Sequence, residues 1–424
     1  MHRLYQVLSY LAAPLVVLIL LYKGLSNRAY WERFEERFGF GSSRLDRPGI
    51  WIHAVSVGEV IAASGVVRAF RRRYPNMPMV ITTVTPTGAG RAAQLFGDDI
   101  VHSYAPYDTP GSVRRFFNRM QPRIAVIMET ELWPNLFSEC GRRGVPLVLA
   151  NARISPRSLG RYLRFVGLFR QALSHGIVIA AQSDSDAERF RLLGASPERT
   201  HVTGNLKADM ELPPDVVERG HAFRMAHAPQ RPVWIAASTH GGEEEIVLAA
   251  HEQVRRTLPG ALLVLVPRHP ERFEAVAELI GKSGVSFQRR SANGVPGPGD
   301  SVYLVDTLGE LPLFYAVADV AFVAGSLVPI GGHNLLEPAA LAMPVLAGPH
   351  NFNSQDISAL LEEAGALEIV QDADGLAKAV GTLLSDEALR RDRGERARRT
   401  LAESGGALER LMALIQPLLE RPLG

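Results

Sequence analysis

Several carboxylates and cations in this chain stand where apolar runs end, and they set the first chemical expectations. In "WIHAVSVGEV" an apolar run breaks at Gly58, and Glu59 opens the helical pattern "VIAASGVVRAF". An acidic residue in a first helical turn is favoured by the helix dipole. A carboxylate beyond a strand end can also act as a general base, and Gly58 allows close approach of a ligand. "METELWPN" sets Glu129 and Glu131 around Thr130 at the end of another apolar run. Strand parity would turn these two carboxylates to one face and Thr130 to the other. Acidic groups there are costly unless paired or functional. Lys207 in "TGNLKAD" follows a further run and is a candidate partner.

The second half carries groups suited to a phosphate. "LVPRHPERF" sets Arg268 and His269 after a strand, and a guanidinium there suits a phosphate. "DTLGELPLF" opens a helix at Gly309 and Glu310, whose first amides, with Leu311, can hold an anion or a base edge. "GSLVPIGGHNLLEP" runs from Gly331-Gly332 into a helix start, with Asn334 as expected cap and Glu337 three residues on. Asn-x-x-Glu resembles a capping box. The functional alternative has Glu337 accepting from two ribose hydroxyls while the loop amides meet phosphate.

These positions follow from the expected architecture. The chain has 424 residues, and 46% hydrophobic with 21% charged is an ordinary globular balance. That length exceeds what one core usually holds. Near-continuous apolar strands ("IWIHAV", "MPMVITTVT", "RIAVIMET", "VPLVLANAR", "GIVIAAQ", "HVTGN") alternate with amphipathic helices. This pattern predicts a parallel sheet covered on both faces. A second series ("PVWIAAS", "ALLVLVPR", "SVYLVD", "DVAFVAG", "MPVLAG", "ALEIV") follows a connection rich in charge and proline, "ADMELPPDVVERGHAFRMAHAPQRP". The expected class is α/β, with two doubly wound Rossmann-like domains at 27–212 and 213–424 facing a cleft, and an Arg-rich helical tail from about residue 386. Ligands of such sheets bind beyond the carboxyl ends of the strands, which also marks Ser238 to His240.

Residues 1–26 stand apart. Residues 4–21, "LYQVLSYLAAPLVVLILL", contain no charged side chain. As a helix they measure ~27 Å, against a hydrocarbon core of ~30 Å. The segment reads as a membrane anchor. Lys23, Arg28, Arg33 and Arg37 follow it, so the positive-inside rule places the rest of the chain in the cytoplasm. Pro14 leaves open whether the helix spans the bilayer or lies on it.

Other chemistries find little support. Net charge is +2, which excludes a general polyanion or nucleic-acid binder. Cys140 is the sole cysteine, so no intrachain disulfide or cysteine zinc cluster can form. "TPTGAGRAA" carries Gly88, Gly90 and Ala93 in dinucleotide-like spacing, but after the second strand of its half and with no closing acid. Asp184-x-Asp186 resembles a metal motif and reads better as a helix cap. The twelve histidines show no His-Glu-x-x-His spacing. Arg68, Arg71, Arg72, Arg73 and Arg91 are either a solvated face or contacts for acceptor phosphates and anionic headgroups.

Taken in order, "HAVSVGE", "METELWPN", "NARIS", "GNLKAD", "PRHPERF", "GELPLFYAVADVAFVAGS" and "GGHNLLEPA" resemble the 3-deoxy-D-manno-octulosonic acid (Kdo) transferases over nearly the whole chain. The resemblance implies a GT-B glycosyltransferase fold. It implies CMP-Kdo as donor and the lipid A precursor as acceptor. A monophosphate leaving group needs a metal less than a diphosphate does, so no metal or other cofactor is expected, and the anchor implies attachment to inner-membrane lipids on the cytoplasmic side. The resemblance implies Glu59 as base, Glu129 and Lys207 as transition-state stabilisers, and CMP contacts at Arg268, His269, Gly309, Glu310, Leu311, Asn334, Leu335, Leu336 and Glu337. A soluble nucleotide-sugar epimerase would share the fold but has no use for the anchor. A non-catalytic membrane scaffold would not need carboxylates and cations at strand ends.

Overall fold

The computed structural model describes residues 2–173, 176–209, 212–213 and 215–420. The chain forms two compact units. The first comprises residues 1–209 with 404–424, and the second residues 210–403. The first unit holds a parallel sheet of β1 (Gly49–His53), β2 (Met79–Thr83), β3 (Val101–Tyr104), β4 (Pro122–Met128), β5 (Leu147–Ala152), β6 (Val178–Ala181) and β7 (Thr200–Val202), in the order β3-β2-β1-β4-β5-β6-β7. The second holds β8 (Val233–Thr239), β9 (Leu262–Pro267), β10 (Phe287–Arg289), β11 (Val302–Leu304), β12 (Val320–Val323), β13 (Val345–Ala347) and β14 (Leu367–Ile369), in the order β10-β11-β9-β8-β12-β13-β14.

Both faces of each sheet are covered, as the unbroken apolar runs require. Ile50, Ile52 and Ala54 enter one core layer while Trp51 enters the other. In the second unit Trp234 and Ala236 oppose Val233, Ile235 and Ala237 in the same way. The helix Val57–Arg73 turns Val60, Ala63, Val67 and Phe70 inward, a 3.6-residue stripe. Its start is set by Ser56, whose hydroxyl caps the first turn. Three further helices begin with a capping hydroxyl and then proline: Thr85-Pro86, Thr109-Pro110 and Ser155-Pro156. Proline suits that first position because its missing N–H would have had no partner in the helix.

Sequence reading and structure differ in four places. The edge strands β3 and β10 bring each sheet to seven strands where six were expected. About half of the expected connection is the helix Val216–His227, whose Phe223 packs on Tyr303 and Phe314. Met210, Glu211 and Pro214 of that connection lie outside the described residues. The tail divides: Glu387–Glu403 stays with the second unit, whereas the helix Ala407–Leu419 returns to the first. Ala407, Leu411, Met412, Ile415 and Leu419 there complete the core over the helix Val57–Arg73. So the first unit is not one continuous span, and the domain assigned to 213–424 ends at Glu403. Finally, β4 ends at Met128, so strand parity does not govern Glu129 and Glu131. Thr130 turns its hydroxyl to the Arg153 carbonyl instead.

Candidate active site

In a doubly wound sheet, ligands gather where the strand order reverses direction. In the first unit that point lies between β1 and β4. Glu59 follows β1 and Glu129 and Glu131 follow β4. Glu59 is almost fully buried in the first turn of its helix. Its Oε2 accepts from the Val55 amide at 2.8 Å and its Oε1 from the Ser56 hydroxyl at 3.1 Å. With Ser56 capping the Glu59 amide, this is a capping-box arrangement shifted by one residue. The helix-start reading of Glu59 therefore holds. Burial pushes its carboxyl up to about 7, the nearby charges of Glu129 and Glu131 add to the rise, and the Val55 and Ser56 hydrogen bonds oppose it. A carboxyl held there can accept a proton near neutral pH.

Glu129 occupies the left-handed region at φ 55, which a non-glycine residue adopts only when its surroundings enforce it. Its amide donates to the Ala150 carbonyl at 2.9 Å. Its Oε1 stands 3.7 Å from Lys207 Nζ, with both side chains partly open to solvent. Asn151 orders this arrangement. Its side-chain oxygen accepts from the Leu206 amide at 2.9 Å, so it fixes the turn that carries Lys207. Glu131 accepts from the Trp133 indole at 2.6 Å. Burial raises its carboxyl and Glu129 adds to the rise, against that hydrogen bond. Below this layer His53 is fully buried, with Nδ1 2.8 Å from Thr82 Oγ1, and burial lowers it to about 4. It is neutral at pH 7 and meets Trp133 edge to face at 5.2 Å.

In the second unit the reversal lies between β8 and β12. Here the structure adds a residue that sequence reasoning missed. Glu243 is fully buried. Its carboxylate accepts from the amides of His240 at 3.1 Å, Gly325 at 2.7 Å, Ser326 at 3.0 Å and Leu327 at 2.9 Å. It thus locks the loop after β12 to the loop after β8. "HGGEEE" shows three adjacent acids, and nothing in their order marks the first as the anchor.

Above this anchor the rings of His240 and His333 stack at 5.0 Å and their Nε2 atoms lie 2.8 Å apart. One must donate and the other accept, so the two cannot both be protonated in this arrangement. Burial lowers His333 to about 4, with help from His240, Arg268 and His269. Burial also lowers His240, against the pull of Glu243. His269 meets His240 edge to face at 5.2 Å, and Arg268 follows β9 with its amide on the Thr239 carbonyl. An arriving phosphate would find the Arg268 guanidinium beside a cluster of three imidazoles.

The glycine loop departs from expectation. The amides of Gly331 and Gly332 both donate to the Gly325 carbonyl, at 3.0 and 2.7 Å, so they are engaged within the loop. Both glycines have positive φ, and a Cβ on Gly332 would stand 2.4 Å from Asn351 Oδ1. The helix begins at Leu336, one residue later than a cap at Asn334 implies. Asn334 accepts from the Leu336 amide at 3.1 Å and donates to Glu337 Oε1 at 3.1 Å. Asn334 and Glu337 thus pair side chain to side chain, which differs from the reciprocal backbone capping that Asn-x-x-Glu suggested. Burial raises the Glu337 carboxyl, against its hydrogen bond from Asn334. Glu310 precedes the helix Leu311–Val317 and pairs with Arg290 at 2.7 Å, which holds its carboxyl low. Gly309 before it has φ 84.

The decoys resolve locally. Ser183 caps the helix Asp184–Leu192 and bonds Asp186, which pairs with Arg189 at 3.0 Å. Thr85 caps the Gly88 amide. In the basic group, Arg71 pairs with Asp99 at 2.9 Å and Arg91 bonds Gln94.

A family model described as 3-deoxy-D-manno-octulosonic-acid transferase (kdotransferase) matches residues 32–210. A 3-deoxy-D-manno-octulosonic acid transferase of Haemophilus influenzae is 43% identical over 420 residues, covering 98% of each chain. Among solved structures, a glycosyltransferase from Rickettsia africae aligns with a TM-score of 0.56 at 14% identity, over 89% of this chain and 100% of its own. A putative UDP-N-acetylglucosamine 2-epimerase from Listeria monocytogenes gives 0.54 at 15% identity, over 88% and 97%. The GT-B architecture is thus common to a transferase and an epimerase and does not choose between them. The sequence does: the chain belongs to the 3-deoxy-D-manno-octulosonic acid transferase family of glycosyltransferases.

Proposed function

We propose that this chain transfers Kdo from CMP-Kdo to the lipid A precursor with inversion at the anomeric carbon, in lipopolysaccharide biosynthesis at the cytoplasmic face of the inner membrane. The observation that carries the reading is Glu59, a buried strand-end carboxyl whose pKa of about 7 suits a base at neutral pH. The acceptor hydroxyl gives its proton to Glu59 as its oxygen bonds the anomeric carbon. The bond from that carbon to the CMP phosphate oxygen breaks on the opposite face, so no covalent enzyme intermediate forms. Lys207, steered by Glu129, stabilises charge as the bonds exchange. CMP leaves as a phosphate monoester, whose charge the Arg268 guanidinium can offset while an imidazole N–H donates to it. Such neutralisation makes a divalent ion unnecessary.

The test is incubation of the full chain with CMP-Kdo and tetra-acylated lipid A precursor in excess chelator, with products weighed by mass spectrometry. The expected product is the Kdo-bearing lipid. Free Kdo and CMP with unmodified lipid would refute the acceptor. Transfer only after magnesium or manganese is restored would refute the metal-free mechanism.

Donor recognition is expected to involve Glu337. Hydrogen bonds from ribose hydroxyls to a carboxylate are worth about 1.5–3 kcal/mol each. Glu337→Ala should weaken CMP binding at least tenfold by calorimetric titration, since ~1.4 kcal/mol is one decade. If Glu337 serves only its pairing with Asn334, affinity stays unchanged and stability falls by about 1 kcal/mol. A melting curve beside the titration separates the two.

A further inference from the structure

The N-terminal helix His2–Ser26 is apolar enough to cross a membrane, yet its contacts run the wrong way for that. Tyr5 Oη donates to Asp108 Oδ2 at 2.9 Å, and Tyr10 Oη accepts from the Gly111 amide at 2.9 Å. Asp108 also takes the Asn135 and Leu136 amides, at 3.0 and 2.8 Å. These partners sit at the carboxyl end of the first sheet: Asp108 follows β3, and Asn135 belongs to the helix Pro134–Arg143 that follows β4. The far end is also held, as the Trp31 indole donates to the Leu21 carbonyl and Gly24 lies against the Trp31 ring. Between the two ends, covered positions recur at helical spacing, Tyr5, Ser9, Ala13, Val16, Leu20 and Gly24. The opposite face is open along its length, with Leu4, Leu8, Leu11, Leu15, Leu18 and Leu25 all exposed.

We propose that this helix does not cross the bilayer but lies in its surface, latched along the first unit by Tyr5 and Tyr10, with the leucine face in lipid. Tyr5 and Lys23 are eighteen residues apart, ~27 Å along a helix. If the helix spanned with Lys23 and Arg28 among the headgroups nearest the unit, Tyr5 would reach the far side of a ~30 Å core. Both tyrosine bonds would break, and Asp108 would lose a partner in a buried site. Lying flat keeps both bonds. It also sets Arg3, Lys23 and Arg28 in one headgroup layer, with no acidic residue before Glu32 to repel anionic lipid. The occupant of the leucine face is thus an anionic bilayer surface. The latch brings that surface to the edge of the sheet that carries Glu59, Glu129 and Glu131. The inference stands on the helix contacts and does not depend on the reaction proposed above.

The test uses the full chain with Cys140→Ser and a single new cysteine, bound to sealed vesicles of phosphatidylethanolamine and phosphatidylglycerol. His2→Cys reports the helix start, and Glu198→Cys, on an exposed turn of the first unit, reports the side that unit occupies. A membrane-impermeant maleimide added outside should label both cysteines to the same extent before detergent. If Glu198→Cys reacts at once while His2→Cys waits for detergent, the helix spans and the proposal fails. Failure of the protein to float with the vesicles would also overturn it, because the leucine face would then need another occupant.

Discussion

Glu59→Gln is expected to lower turnover by roughly 10²-fold or more while CMP affinity stays near wild type, because positioned base catalysis contributes ~10²–10⁴-fold. Glutamine keeps the shape and an oxygen for the Val55 amide but cannot take the proton. Turnover of the wild type should rise with pH through about 7, the carboxyl's own titration, and the variant should lose that limb. Stability supplies an independent check. The Glu59 pKa is raised on folding, from 4.5 to about 7. Its contribution to stability is therefore fully present below about pH 4.5 and is lost as the pH rises to about 7. Denaturant midpoints of the wild type should fall across that window by more than those of Glu59→Gln. A variant keeping over half the activity would remove Glu59 from the mechanism.

Glu243→Ala is expected to cost more stability than any change at the other candidate site residues. Four backbone amides converge on this one buried carboxylate. Hydrogen bonds to a charge are worth about 1.5–3 kcal/mol, and each orphaned buried donor costs about 1–3 kcal/mol. Even with partial rescue by water, a loss of ~3–5 kcal/mol is expected, read as a large drop in the denaturant midpoint of the second unit. Glu243→Gln keeps one accepting oxygen and should fall between. The loops after β8 and β12 carry His240 and His333, so CMP binding should fail with the fold. A melting curve within a degree or two of wild type would show that the loops hold without this anchor.

How much could be read in advance depended on the kind of signal. Buried central strands such as β1, β4, β8 and β9 have only one way to place an unbroken apolar run. The missed strands, β3 and β10, are the outermost of their sheets and hold polar residues: His102 and Ser103 in one, Gln288 and Arg289 in the other. Half-exposed edges carry weak periodicity. The helix start at Glu59 and the cap before Asp184 were legible because they are local, whereas Asn334 sits one residue ahead of its helix's true cap. Glu129 was placed at its strand end, but its left-handed backbone was not foreseen, since nothing in "MET" requires φ 55. The Glu243 anchor and the His240–His333 pair join residues 82 to 93 positions apart. No spacing rule reaches that far in a single sequence.

The return of the helix Ala407–Leu419 to the first unit has a consequence for synthesis on the ribosome. Domains made in order usually fold in order, the N-terminal one first. Here the first sheet can form early, but the apolar face of the helix Val57–Arg73 stays uncovered until the last helix has emerged. Asp209 waits as well, since it accepts from the Gly406 and Leu408 amides, and Arg123 bonds the Leu419 carbonyl at 2.7 Å. The whole second unit, residues 210–403, is translated in the interval. At ~5–20 residues per second that interval lasts on the order of ten seconds or more. The nascent chain thus carries an open hydrophobic flank until the helix Ala407–Leu419 has been made.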